Sequence, residues 1–585
     1  MTRRQLVGLA ALWLLALVLR GAHFRGVDVQ ETLRADALHY GTLAWSLANR
    51  GVYEDNAEPG FEAGMRWPPG YPAFLAPFFA GKDLAPGADA ALRAQVFVTS
   101  FLPVLVIWVG RRFLPPWARW TAGLLTACCP VLATTPSFLT TESMLALLFL
   151  LAFELLAATL EKPTVVRAAL GGLMCGTLTM LRSSMVGVPV VAALHLARRG
   201  GERDRRRAAL VLVAVGLLPS AVWEVRNRIA IAHGAAADSY LARPFAEGIY
   251  PDLLLGNANR GYAFAVDPEF PEFSRSISKT LATLARRTWQ DPWPNLRWNL
   301  FGRWMTLWEY HMIQDPPIHI YSVRHGLFRP AEINPIGESE PLAVLYWIDR
   351  TAYFLVVPAV LVGAWWTLRS RRAEVTTAHH TMELLYLLLG YHVLLHGSVV
   401  PEPRLMVGMR PVLVLLALGM LARLPRRAES NAWYRPLVIG AALGGWVASS
   451  PPTLSAIDTP PPIAHAQQLE ERGDYARAAP LYEAVGKASS GDTERLMAAG
   501  LLYHYRLHDP RHAIELYRTI ISRLPSHYMA RYQLAVALLE SGAVAEAQAA
   551  WKEFVPMAEK TGDHAALDAA PAILRDAART DRGAS

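Results

Sequence analysis

The chain has 585 residues, of which 53% are hydrophobic and 18% charged, with a mean hydropathy of +0.20 and a formal charge of +8. Its apolar residues are bunched into runs near the roughly 20 residues that cross a bilayer, which excludes a purely soluble globular protein. The positive charge does not point to nucleic acid. Arginines cluster at the ends of apolar runs (Arg3-Arg4, Arg111-Arg112, Arg198-Arg199 with Arg203 to Arg207, Arg369 to Arg372, Arg423 to Arg427), with no accompanying aromatic-basic stripe.

In chain order the apolar runs predict spans at 5–22, 93–111, 117–135, 138–160, 167–182, 184–197, 208–225, 344–367, 382–399, 405–422 and 435–450. Threaded alternately, they put every arginine cluster on one side, the positive-inside pattern. The segments 23–92 and 226–343 then face outside, with short outer turns near Thr135 and Pro401. About eleven spans also place the carboxyl terminus outside; merging 167–182 with 184–197, or losing 435–450, would invert it. The first span is longer than a signal-peptide core and lacks a convincing cleavage site, so it reads as an uncleaved signal-anchor. Cys128, Cys129 and Cys175 lie inside apolar runs without metal-type spacing, and neither a disulfide nor a metal is assigned to them.

The first outer segment carries two further elements. Tyr40, Leu43, Ala44, Leu47 and Ala48 recur at helical spacing, which predicts an amphipathic helix over 37–49 lying along the interface. Pro72-Ala-Phe-Leu-Ala-Pro-Phe-Phe79 is apolar but too short to span. In the second outer segment, Trp289, Trp293, Trp298, Trp304 and Trp308 form a set suited to a headgroup surface.

After residue 450 the composition changes. Residues 451–462 hold Pro451, Pro452, Pro460, Pro461 and Pro462, a stiff linker between a membrane module (1–450) and a helical tail (463–585). The tail is periodic: Gly473-Asp474-Tyr475 with Ala478 and Tyr482 is echoed by His508-Asp509-Pro510 with Ala513 and Tyr517, and by Gly542-Ala543-Val544 with Ala547 and Trp551. The offsets are 35 and 34 residues, and the pattern resembles tetratricopeptide repeats, with Pro525 near the end of the second unit. Between 462 and 585 there are 14 basic and 16 acidic side chains, so no strongly charged ligand is implied.

The chemistry-bearing residues gather at the outer ends of the spans. Asp36 follows the first span by about a dozen residues and opens a segment closed by Arg66-Trp-Pro-Pro-Gly-Tyr-Pro72. With Tyr40, Ala44, Leu47, Gly51 and Tyr53, this arrangement resembles the first external loop of the GT-C class of membrane glycosyltransferases, which includes the protein O-mannosyltransferases and the aminoarabinose transferases that modify lipid A. The resemblance covers residues 1–425 and is strongest over 1–80. It implies a polytopic, all-α helical bundle of the bacterial inner membrane, an extracytoplasmic active site with Asp36 in it, and a polyprenyl-phosphate sugar as donor.

Physical chemistry agrees with that role. An acceptor hydroxyl must lose a proton as phosphate departs, and a carboxylate beside it can take that proton. Because phosphate already leaves well, one base and nearby cations suffice, without the paired carboxylates of glycoside hydrolysis. The bland alternative is that Asp36 caps the helix that follows. Glu142, in Thr141-Glu142 at an outer span end, is a second acidic candidate, placed to orient Asp36, bind sugar or hold a divalent cation such as Mg or Mn; its bland role is to complement the helix dipole. No cofactor beyond such a cation is implied.

Arginine is the expected partner of a lipid phosphate, and Arg66, Arg182, Arg226 and Arg404 qualify, each with interfacial anchoring as the alternative. Arg226-Asn227 ends the seventh span as in many members of the class; Arg404 stands where an Arg-Tyr pair is common, but Leu405 replaces the tyrosine. His39, Tyr40 and Tyr71 flank the motif as substrate contacts, and Gly256-Asn257 resembles a loop element of the class without a mechanism.

The partners expected are therefore the lipid bilayer, the lipid-linked donor and a protein partner or acceptor on the repeats. Three other functions compete: an O-antigen-type ligase or polymerase built on the loop 226–343, a non-catalytic anchor displaying the repeats, and a transporter. The last is disfavoured because the spans hold little midspan charge, Glu154 being the main exception.

Overall fold

The structure, a computed structural model, describes residues 2–25, 27, 29–33, 35–55, 64–198, 203–233, 242–250, 269–308, 343–369, 376–423, 466, 469–470, 473–488, 493–523, 527–561, 567 and 570–575. All regular elements among the described residues are helical. The expected span 435–450, the linker 451–462, Gly256-Asn257 and Pro525 lie outside the described residues.

Each of the other expected spans coincides with helix. Five stretches are long and apolar enough by themselves to cross a membrane: Arg3–Phe24, Leu84–Gly110, Glu142–Glu161, Arg203–Ala232 and Arg404–Leu421. Helices Val165–Leu181 and Val188–Ala197 are shorter, and Ala343–Arg369 and Thr377–Ser398 complete the set. Arg3–Phe24 starts in a capping box, Thr2 Oγ1 accepting from the Gln5 amide while the Gln5 side chain accepts from the Thr2 amide. Its apolar window is only 17% buried by protein, and Leu6, Val7, Leu14 and Val18 project outward. Such continuous exposed apolar surface is what a lipid-facing helix presents.

Two boundaries differ from the hydropathy reading. The second span begins at Leu84, not near 93, because Leu84, Ala88, Ala91 and Leu92 are buried while the charges that dilute its hydropathy, Asp89 and Arg93, pair with each other on the outside at 2.7 Å. The third span is interrupted: Cys129, preceding Pro130, is extended, and the chain restarts as Pro130–Thr134.

Two close packings set the site's frame. A Cβ on Gly172 would lie 2.8 Å from the Leu212 carbonyl oxygen and one on Gly176 would lie 2.7 Å from Pro219; small residues here let Val165–Leu181 and Arg203–Ala232 approach closely. A Cβ on Gly70 would lie 2.6 Å from the backbone of Met180. The Pro-Pro-Gly-Tyr-Pro turn is thereby pressed against the chain just before Arg182.

The helix expected to lie along the interface is Ala35–Arg50, and it is an internal helix. Ala37, Leu43 and Ala44 are fully buried, against Gly70–Phe79 and Leu84–Thr99, and Trp45 Nε1 and Asn49 Nδ2 donate to the Lys82 and Phe79 carbonyls at 3.0 Å each. Of the outer tryptophans, Trp289 and Trp293 are highly exposed while Trp298 is buried, its Nε1 donating to the Gly248 carbonyl at 2.9 Å.

Spans also hold more charge than the sequence suggests. Arg20 is fully buried, and Arg410 pairs with Asp349 at 3.6 Å. Glu154 is no isolated midspan charge: Arg112 and Arg111 reach it at 2.7 and 2.9 Å and Trp108 Nε1 donates to it at 3.1 Å.

The tail forms a second core of successive helices, Tyr475–Ala488, Thr493–Tyr505, Pro510–Arg523, Tyr528–Glu540 and Val544–Thr561, each packed on the next. Gly473, His508 and Gly542, the corresponding turn positions, are all left-handed, with φ of 76°, 53° and 85°. His508 adopts this without glycine's freedom, at about 1 kcal/mol. Ala478, Ala513 and Ala547 are fully buried at helix contacts, and Tyr482, Tyr517 and Trp551 fill the core beside them.

Candidate active site

Six helix ends and turns contribute. Asp36, His39 and Tyr40 lie at the start of Ala35–Arg50; Arg66 and Trp67 in the turn before Gly70–Phe79; Glu142 at the start of Glu142–Glu161; Arg182 just past Val165–Leu181; Glu402 and Arg404 at the 3-10 turn Pro403–Met409; Arg243 and Glu247 on Ala242–Gly248. Helix ends leave backbone groups and side chains free to converge.

Two acid–arginine pairs organise the site. Arg404 Nη1 donates to Asp36 Oδ2 at 2.9 Å, and its Nε to Glu402 Oε2. Arg182 Nη1 donates to Glu142 Oε1 at 3.0 Å and to Thr141 Oγ1 at 3.1 Å. Tyr40 joins them, its phenol lying within electrostatic reach of Asp36, Arg182, Glu142 and Arg404. Burial first, then the Asp36 and Glu142 carboxylates, push its ionisation above the ordinary tyrosine range, against the pull of the two arginines.

Burial alone would raise the Asp36 pKa, but Arg404, Arg66 and His39 outweigh it and hold the carboxyl at about 2. The Asp36 side chain is nonetheless 31% exposed, so it keeps access to solvent. Arg66 adds a cation whose guanidinium lies 5.4 Å from the Trp67 ring centre and 4.0 Å from Glu247 Oε1. Glu247 also accepts from Arg243 at 3.2 Å. Burial pushes its carboxyl pKa up in spite of both arginines, and Glu402 adds to the rise.

His39 is held on two sides. Its Nδ1 meets Asp55 Oδ2 at 2.6 Å, and its ring stacks on Trp67 at 4.1 Å. Asp55, fully buried, also accepts from Thr42 Oγ1 at 2.9 Å.

Of the residues expected from sequence, Asp36, His39, Tyr40, Arg66, Arg404, Glu142 and Arg182 are brought together. Tyr71 stands behind them: it is fully buried, edge-on to Tyr40 at 4.9 Å, and donates to Gln95 Oε1 at 2.7 Å. It supports Tyr40 and offers substrate no open surface. Arg226 braces the segment's far side, donating to the Tyr53 carbonyl at 3.3 Å with its guanidinium 4.8 Å from the Trp223 ring centre. That is an anchoring geometry. Asp55, Glu247 and Glu402 are the residues sequence reasoning missed. Glu402 alone carried a signal, since Pro401 and Pro403 fix the backbone around it; nothing local distinguishes Asp55 from Glu54 or marks Glu247.

A divalent cation fits this arrangement poorly. Asp36 and Glu402 both face Arg404, whereas Glu142 faces Arg182, so the three carboxylates are divided between two arginines. Among the described residues, no group of three potential ligands meets here. The positive charge of the site is supplied by arginine.

No family model and no curated protein matches the chain. Among solved structures, the chain is similar to ArnT from Cupriavidus metallidurans bound to undecaprenyl phosphate, with 15% identity and a TM-score of 0.39, over 94% of this chain and 80% of that one. It is also similar to the Archaeoglobus fulgidus oligosaccharyltransferase tethered to an acceptor peptide containing the NVT sequon, with 12% identity and a TM-score of 0.36, over 82% of this chain. The chain spans 59% of the length of that oligosaccharyltransferase.

Proposed function

We propose that this protein is a membrane glycosyltransferase of the GT-C type that moves a sugar from a polyprenyl-phosphate donor to an acceptor hydroxyl on the extracytoplasmic face. The observation that carries this reading is the convergence of Asp36–Arg404 and Glu142–Arg182 around Tyr40, with the Asp36 side chain partly accessible. Guanidinium forks bind phosphate well, and a carboxylate beside them can serve the acceptor.

The resting pKa of Asp36 makes it a weak base. Donor binding changes that: a phosphate seated on Arg404 and Arg66 competes for the two arginines holding the pKa down, and burial then raises it. The acceptor oxygen attacks the anomeric carbon as its proton passes to Asp36; the bond from that carbon to the phosphate oxygen breaks, and polyprenyl phosphate leaves with inversion. Tyr40, kept protonated by its surroundings, donates a hydrogen bond to the departing phosphate or the sugar. Glu142 holds Arg182 in place.

The test is to incubate the purified full chain with a panel of radiolabelled polyprenyl-phosphate sugars and follow label release, with Asp36→Asn as control. Release by the native chain and its loss in the variant are expected. No donor consumed across the panel removes the reading.

The periodic tail is, on this proposal, a tetratricopeptide module that docks an acceptor protein or assembly partner. The groove between Pro510–Arg523, Tyr528–Glu540 and Val544–Thr561, lined by Arg518, Leu534, Leu538 and Glu553, favours it. Deleting residues 463–585 should then spare donor hydrolysis or transfer to a small acceptor while abolishing co-purification of the partner; loss of both activities would refute separate roles.

A further inference from the structure

Far from Asp36, a second cluster of metal-competent side chains joins two helices. His195 lies near the end of Val188–Ala197, and His380 and Glu383 occupy the first turns of Thr377–Ser398. Thirteen residues separate His195 from Arg182, roughly 20 Å along the chain's helical rise. This end carries Arg198, whereas Arg182 faces the site described above. One ligand atom from each of His195, His380 and Glu383 lies within 4.8 Å of the other two.

Two details give the cluster direction. His195 Nε2 donates to the His380 carbonyl at 3.2 Å, while Arg198 Nη2 donates to His195 Nδ1 at 3.1 Å. The first bond fixes the tautomer and turns the Nδ1 lone pair toward the cluster; donation of the distal ring N–H to a backbone carbonyl is the usual support of a metal-ligating histidine. The same Arg198 nitrogen also bonds Glu383 Oε1. A single cationic nitrogen thus bridges two of the three ligands, as a bound cation would. On the third side His380 Nδ1 is 3.4 Å from Glu383 Oε2, near the ligand separation of a tetrahedral zinc site with bonds of about 2.0–2.2 Å.

We propose that His195, His380 and Glu383 form a divalent-metal site of the zinc class that clamps the ends of Val188–Ala197 and Thr377–Ser398, with Arg198 as its competing cation. Two imidazoles and a carboxylate suit zinc among the biologically common divalent ions and leave a fourth position for water. Arg198 is an easily displaced occupant, because its side chain is 51% exposed and exposed ion pairs hold weakly. The clamp is independent of the glycosyltransfer reading.

The full chain, purified in detergent and stripped with a chelator, is equilibrated with zinc alone against a chromophoric competitor, and bound metal is counted by mass spectrometry. One zinc per chain is expected, with Glu383→Gln and His195→Ala each weakening binding by at least about tenfold. Arg198→Ala should tighten it roughly twofold to fivefold, by removing the competitor. That gain is what adventitious histidine binding would not show, and it does not depend on the ligand variants folding. Substoichiometric zinc in the native chain at micromolar free metal, or an Arg198→Ala protein that binds no more tightly, overturns the proposal.

Discussion

Arginine–carboxylate pairs occur at both ends of the helical bundle, and they are built differently. At the Glu154 end, Arg111, Arg112 and Trp108 converge on one carboxylate that is 15% exposed, Arg112 also reaching Glu161, and two helices, Leu102–Gly110 and Glu142–Glu161, are fastened there. At the Asp36 end, one arginine is divided between Asp36 and Glu402, six helix ends and turns contribute, and the carboxylate keeps 31% of its side chain accessible. The same chemistry gives a fastener where donors outnumber acceptors on continuous helices. Where helix ends and turns meet and the acid stays partly exposed, it gives a site from which an incoming anion can take the cation.

Four experiments separate the two ends. The largest effects are expected at the open end: Asp36→Asn and Arg404→Ala should each lower transfer by on the order of a hundredfold or more, the scale of a lost general base or of an orphaned partly buried charge. Comparable rates in radiolabel release would show that neither touches the reaction. Arg182→Ala comes next, leaving Glu142 buried without its arginine partner. Transfer should fall by roughly tenfold to a hundredfold, with Arg182→Lys recovering little because an ammonium lacks the planar donor set a guanidinium offers a phosphate; full recovery by lysine would reduce Arg182 to a point charge.

At the closed end, Glu154→Gln should leave transfer rates alone and lower thermal stability by about 1–3 kcal/mol. A selective loss of activity there would erase the distinction. The smallest effect is a pH dependence. The Asp36 carboxyl is held at about 2, below its ordinary 3.8, so its ion pair stabilises the fold fully above that ordinary value and the contribution disappears as pH falls toward 2. After discounting for solvent screening of this partly exposed side chain, the difference is about 1 kcal/mol. Melting curves of native and Asp36→Asn protein should therefore converge between pH 4 and pH 2; parallel curves would show that Asp36 is not paired in solution.

Much of this architecture can be read from local sequence. Apolar runs mark the helices because burying apolar length is a local property, and the tail's turn positions at 473, 508 and 542 stand out by periodicity. Local hydropathy fails where charge cancels out of sight: Asp89 and Arg93 disguise the start of the second span, and Arg111 and Arg112 neutralise Glu154 from another helix. Tyr71, expected from the motif as a substrate contact, is fully buried with its hydroxyl on Gln95, a partner that sequence distance hides.

Residue type and position along the chain thus determined that this is a helical protein with stretches long and apolar enough to cross a membrane and with acids and arginines at their ends. Which acid meets which arginine was decided by the tertiary structure alone. Asp36 and Arg404 are hundreds of residues apart, and their encounter depends on helix packing. The close seat of Gly70 on Met180 brings the Arg66 turn to the chain before Arg182, and the 3-10 turn Pro403–Met409 presents Arg404. Electrostatic coupling falls with distance through space, not along sequence, so the low Asp36 pKa and the burial of Asp55 and Glu247 become visible only once the chain has folded.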